Sequence, residues 1–284
     1  MKGLLLSLLF ATSNSPTDVS VASHAIEWKL NGDLIANCVL ATWGDVQSVS
    51  GAQVNVQCDS EENVAGNLML KLPASHYQNR RVTLVMDVEQ GQQMTSTLWV
   101  KSSRDNRTQL FESDADDALL NSTPAGAQRS VSSVIGNADA VSVGVILRGT
   151  GVVTLKHVRL VVAPDGETSL QAQQVLDKAL DVIGEHAATR DIRWAELQAQ
   201  AQQLARGAQD TAEVYPVIRY VLQQLGDRRS TVLSPEVVRS LDQRKSSPST
   251  ALKIVSLPDG AELVLANAAL PVAAADGRVA NNWP

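Results

Sequence analysis

Along this chain the spacing of hydrophobic positions changes once, near residue 165, and changes back beyond residue 250. Gln53-Val54-Asn55-Val56-Gln57-Cys58 alternates strictly, as does Leu68-Met69-Leu70-Lys71-Leu72, so each predicts a strand with one face on a core. Arg81 to Val88 predicts a longer strand, followed by a turn at Gln90-Gly91-Gln92 and another strand at Thr97 to Lys101. Ala140 to Leu147 and Gly151 to Leu155 flank a glycine-rich turn, Arg148-Gly149-Thr150, and His157 to Val161 closes the run. Short strands separated by turn signals, with no helical stripe among them, predict a sandwich.

After Pro164-Asp165-Gly166 the period becomes 3.6. Leu176, Ala179, Leu180, Ile183 and Ala187 draw one helical stripe, and Trp194, Leu197, Ala201, Leu204 and Ala208 draw a second. Val214, Ile218, Val221, Leu222 and Leu225 draw a third, which Gly226 ends. Asp210 and Glu213 have capping-box spacing, and Pro216 places the start of this helix toward Glu213. The charged turn Asp227-Arg228-Arg229-Ser230 follows, and Ser234-Pro235-Glu236 supplies an N-cap, a first-turn proline and an early carboxylate for a further helix. Past a polar linker at Arg244 to Ser249, Leu252 to Ser256 and Glu262 to Leu265 flank Pro258-Asp259-Gly260 as a hairpin. A hairpin alone buries no core of its own. The pattern therefore predicts a multidomain α and β protein. An antiparallel, jelly-roll-like β-sandwich over 26–163 precedes a small helical domain over 168–243 and a β-hairpin with tail over 251–284.

Composition narrows the function classes. The 284 residues carry a formal charge of -6 without a dense basic patch, which argues against nucleic acid as partner. No apolar run approaches the roughly 20 residues that span a bilayer. Lys2 ahead of Leu4-Leu5-Leu6 and Leu8-Leu9-Phe10-Ala11, with small residues at Ser23 and Ala25, predicts a signal peptide over 1–25 and a periplasmic or secreted protein. Cys38 and Cys58 then predict a disulfide closing a loop of about 20 residues, worth about 3 kcal/mol in the chain-entropy account; two unpaired buried thiols are the alternative.

Candidate chemistry is sparse. No Gly-x-Ser-x-Gly elbow occurs, and Lys245-Ser246 lies in a polar linker without the fixed geometry a nucleophile needs. His76, His157 and His186 lack metal-ligand spacing. Glu112, Asp114, Asp116 and Asp117 suit a hard cation by type but lack a glycine-pivoted loop, so a solvated loop is expected and neither metal nor cofactor is assigned. Trp28, Trp43 and Trp99 fall in the β region, where core packing is the expectation and stacking on a sugar ring the alternative.

Trp194, Tyr215-Pro216-Val217-Ile218, Leu225, Asp227, Ser230 and Ser234-Pro235 together resemble the region preceding the protease core in the C-terminal-processing (tail-specific) serine peptidase family. Arg229 stands where that family carries His, and an arginine stays protonated, so it shuttles no proton. Leu98-Trp99, Phe111-Glu112, the Gly144 to Gly151 run and His157 to Leu160 look like the β-sandwich module of some bacterial members, whose architecture is shared with carbohydrate-binding domains. Glu112 replaces the usual Asp, and Lys156-His157 sits where acidic residues are common. The resemblance implies a Ser-Lys dyad in a core beyond the matched segment, of which the hairpin would be the truncated start. No catalytic residue is assigned, and the binding residues stay unknown. The leading expectation is the non-catalytic N-terminal portion of an exported peptidase, positioning a peptide substrate or a partner and inactive alone. The alternatives are a complete exported module binding carbohydrate or another envelope ligand, and a purely structural interaction domain.

Overall fold

The computed structural model describes residues 27–43, 53–59, 64–91, 93–114, 128–186, 194–227, 230–243 and 252–266. The expected signal peptide and Arg229 lie outside them, as do Asp116, Asp117, Lys245 and Ser246. The first part runs β1 (Lys29–Gly32), a short helix α1 (Leu34–Asn37), β2 (Cys38–Trp43), β3 (Gln53–Cys58), β4 (Val64–Pro73), β5 (Arg80–Gln90), β6 (Met94–Arg104), β7 (Arg107–Ser113), β8 (Gln128–Ile135), β9 (Ala140–Gly149) and β10 (Gly151–Val162). Two sheets form, ordered β1-β4-β9-β6-β7 and β2-β3-β10-β5-β8, and every pairing in them is antiparallel. Alternation decides which side chains lie between them. Leu68, Leu70 and Leu72 of β4, Val141 to Leu147 at every second position of β9, and Leu84, Met86 and Val88 of β5 fill one core. This is the antiparallel sandwich that the period-two pattern predicts.

Three strand details differ from the sequence reading. Where a break between Leu155 and His157 was expected, β10 continues through a bulge between Lys156 and Arg159. His157 takes the extra position with φ 50°, and its Nδ1 lies 2.7 Å from Asp87 Oδ2 across the sheet. The strands β7 and β8 were not foreseen, because Arg107-Thr108-Gln109 and the serines of β8 break any apolar run. Nor were β1 and β2, which are short and only half-buried.

The second part begins with α2 (Leu170–His186) and α3 (Trp194–Ala205). A 3-10 turn at Thr211–Val214 leads into α4 (Tyr215–Gln224), β11 (Thr231–Leu233), α5 (Pro235–Gln243), β12 (Leu252–Ser256) and β13 (Glu262–Ala266). Asp210 caps the 3-10 turn by accepting from Ala212 N at 3.0 Å, so α4 starts at Tyr215 with Pro216 in its first turn, where a missing N–H costs nothing. Val175, Ala179, Ile183, Leu197, Leu204, Ile218 and Val221 form a second core. The hairpin is not left without a core: Thr231 to Leu233, read in the sequence as part of a connection, pairs with β13 as a third strand. Leu257, Ala261, Leu263 and Leu265 then share the helices' core.

Leu110 of β7 and Val134 of β8 also belong to this second core. The helices thus cover β7 and β8, one edge strand of each sheet, whose unpaired backbone would otherwise invite intermolecular pairing. Two ion pairs cross the junction: Arg81 to Glu213 at 2.9 Å and Arg219 to Glu112 at 2.7 Å.

Candidate functional site

The pleat that fills the sandwich also sets what the outer face of β1-β4-β9-β6-β7 presents. Because β4, β9, β6 and β7 pair in register, outward side chains fall into rows across the sheet. One row runs Lys71, Ser142, Lys101, Phe111. The next runs Lys29, Met69, Gly144, Trp99, Ser113. A third holds Asn31, Asn67, Ile146 and Thr97, and beyond it Ala65, Arg148 and Thr95.

Trp99 is expected from sequence to be packed rather than open, and it is buried, but against the outer face of the sheet and not between the two sheets. The flanking Leu98 and Val100 fill the sandwich interior, so Trp99 points outward and joins neither core cluster. It is nevertheless only 4% exposed. Its indole lies across Gly144: a Cβ there would come within 2.9 Å of Trp99 Cζ2 and 2.2 Å of the Leu68 carbonyl oxygen. Glycine is what lets the ring lie down on the sheet. Phe111 stacks on the indole, with ring centroids 5.9 Å apart and planes inclined by 23°, and stays 47% exposed. Lys101 Nζ stands 5.8 Å from the Trp99 ring, within cation–π range. Trp99 Nε1 has no hydrogen-bond partner among the described residues. The face therefore offers one open aromatic ring backed by a second. Two rows away on the same face Asn67 and Thr97 present a half-buried amide and hydroxyl, while Ser142, in the Phe111 row, is buried.

At the β7 edge this face meets a groove of about 520 Å³ between the sandwich and the helices, and Ser113 lies in both. Asp114, Ser130, Tyr215, Arg219 and Glu236 also line the groove. Its charges already have protein partners. Asp114 accepts from Leu98 N at 2.7 Å and from Arg129 Nε at 2.8 Å, while Arg129 Nη1 donates to the Ser96 carbonyl at 2.9 Å. Arg219 pairs with Glu112 and Glu236 with Arg239. Tyr215 donates to Asp259 Oδ2 at 2.5 Å, and burial first, then this bond, push its phenol well above the ordinary tyrosine range. The acidic stretch expected to form a solvated loop is thus, at Glu112 and Asp114, two buried carboxylates spent in ion pairs.

Cys38, Cys58, Asp227, Ser230 and Trp28, also singled out from sequence, make contacts within the protein. Cys38 and Cys58 face each other directly on β2 and β3 and form a disulfide, with Cα atoms 4.2 Å apart. Asp227 accepts from Ser230 N at 2.9 Å and from Ser230 Oγ at 2.5 Å, closing the connection after α4 on itself. Trp28 is buried in the sandwich core. Among the described residues no helix is long and apolar enough to cross a membrane, and no group of His, Cys, Asp and Glu has the arrangement of a metal site.

No family model and no curated protein matches the chain. Solved structures do. One is a carbohydrate-binding module of the β-sandwich superfamily, at 7% identity and TM-score 0.33 over 48% of this chain and 56% of that one. Another is tailspike protein 4 of bacteriophage CBA120, at 10% identity and TM-score 0.35 over 53% of this chain and 21% of that one. A third is the module TmCBM61 in complex with β-1,4-galactotriose, at 13% identity and TM-score 0.30 over 52% of this chain and 94% of that one. The expected kinship with tail-specific serine peptidases is overturned by these findings. These three are carbohydrate-binding modules and a tailspike rather than peptidases, and no family model supports the resemblance carried by Trp194 to Pro235.

Proposed function

We propose that this protein is an exported carbohydrate-binding module whose ligand lies on the outer face of β1-β4-β9-β6-β7. The supporting observation is the aromatic pair: Phe111 is 47% exposed on an outward row and stacks on Trp99, which Gly144 allows to lie flat. A pyranose presents a C–H face that packs on such a ring, and neighbouring sugars of a polymer lying across the sheet meet the half-buried hydroxyl of Thr97 and amide of Asn67 two rows away. The disulfide agrees with export into an oxidising compartment.

Affinity electrophoresis through a panel of soluble polysaccharides, with tryptophan fluorescence alongside, tests the reading. Phe111→Ala removes an exposed ring and leaves folding intact, and it weakens binding about tenfold, the equivalent of about 1.4 kcal/mol. Retardation by no polysaccharide, with unchanged fluorescence, refutes the proposal. For export, N-terminal sequencing of secreted material is expected to begin near Ile26, and an intact Met1 refutes it.

A further inference from the structure

The charge on this same face points further. The chain as a whole is acidic, at -6, yet no outward position of β1, β4, β6, β7 or β9 holds Asp or Glu. The outward cations are Lys29, Lys71, Lys101 and Arg148. Lys29 pairs with Glu27 at 3.2 Å; among the described residues Lys71, Lys101 and Arg148 form no ion pair. The other sheet behaves oppositely. Its outer face sets Lys156 against Glu89 and His157 against Asp87, so carboxylates stand directly beside its basic side chains.

Lys71 and Lys101 share the row of Phe111, with Ser142 between them. Two interstrand steps separate them, roughly 10 Å. From this row we infer that the ligand is an anionic polysaccharide, one bearing carboxylates or sulfates. Its ring packs on Phe111 while Lys101 and Lys71 neutralise acidic groups along the polymer. The inference rests on the carbohydrate reading above and narrows it. Segregated cations raise the local concentration of a polyanion and pair with it at contact, an effect that salt screens.

The test compares polygalacturonate, alginate and chondroitin sulfate with fully methyl-esterified polygalacturonate, which keeps a backbone but loses its charge. The intact protein is expected to be retarded by at least one acidic polymer and not by the ester, with affinity falling as salt rises. Lys71→Gln and Lys101→Gln, both at accessible positions, are each expected to raise Kd about fivefold, and Phe111→Ala to weaken binding as well. Equal retardation by the ester, or unchanged binding by both lysine variants, overturns the charge inference and leaves the carbohydrate reading standing. Retardation by no polysaccharide overturns both. Binding to single-stranded DNA as tight as to any polysaccharide, and indifferent to Phe111→Ala, reduces the face to an ion exchanger and also overturns the inference.

Discussion

The junction between sandwich and helices makes an asymmetric prediction. Arg81 projects from the outer face of β5 under the helices and is 3% exposed, while its partner Glu213 is 39% exposed. Burial pulls the Arg81 guanidinium below its ordinary range, and the nearby Glu213 carboxylate opposes that pull. Glu213→Gln keeps the shape but strands a buried cation. At about 4 Å and an effective dielectric of about 20 the lost attraction is about 4 kcal/mol. Water reaching the half-exposed carboxylate screens it, so we halve this to about 2 kcal/mol. At about 2–4 °C per kcal/mol for a chain of this size, the melting temperature falls by about 4–8 °C. Arg81→Met removes the buried charge itself. Its stem is replaced by an apolar chain, Glu213 hydrates, and one weak bond to the Ala205 carbonyl at 3.4 Å is lost. The expected cost is about 1 kcal/mol or less. Thermal unfolding followed by circular dichroism at 222 nm ranks the two variants. If Arg81→Met is as damaging as Glu213→Gln, desolvation of the arginine is not what the pair compensates, and the reasoning fails.

Other outcomes follow from single contacts. Ile218, fully buried in the helical core, costs about 2–5 kcal/mol when cut to alanine; a change under 1 kcal/mol in urea unfolding refutes its place there. Cys58→Ser lowers stability by about 3 kcal/mol in the chain-entropy account, and reduced wild-type protein should match the variant's urea midpoint. Gly144→Ala forces a Cβ against the Leu68 carbonyl and the indole, costing about 1–3 kcal/mol and shifting the Trp99 emission; an unchanged spectrum rejects the flat indole. Tyr77, Tyr215 and Tyr220 all have phenols raised chiefly by burial, so the folded state favours the neutral form. Their contribution is intact below the unfolded value near 10 and declines as pH climbs above it. Absorbance at 295 nm should stay flat through pH 10 and rise only with loss of structure, and an ordinary tyrosine step near pH 10 contradicts this.

The local chemistry of the chain set many elements directly. Alternation at Gln53–Cys58 and Leu68–Leu72 places those strands, and the stripes through Leu176 and Ile218 place the helices, because one-sided burial demands one period or the other. Asp210 and Ser234 mark helix starts because their side chains satisfy backbone donors that the helix leaves open. The pairing of Cys38 with Cys58 agrees with the expectation drawn from a count of two cysteines, over the alternative of two buried thiols.

What the tertiary structure decided lies wherever two distant segments had to meet. The polar β7 and β8 become strands because neighbouring strands pair with their backbones and the helices cover their edges, which no local apolar pattern records. Trp99 shows the limit most clearly. Its place on an alternating strand leads one to expect it in the core, because the strand pattern alone does not say which face it takes. The register of β6 against β9 settled that by setting Trp99 opposite Gly144, and the pairing with β7 brought Phe111 onto the ring. A glycine inside a strand pattern was the one available signal of such a close approach. The row of Lys71, Ser142, Lys101 and Phe111 is dispersed through four strands, so its charge and aromatic character exist only once hydrogen-bonded register aligns them.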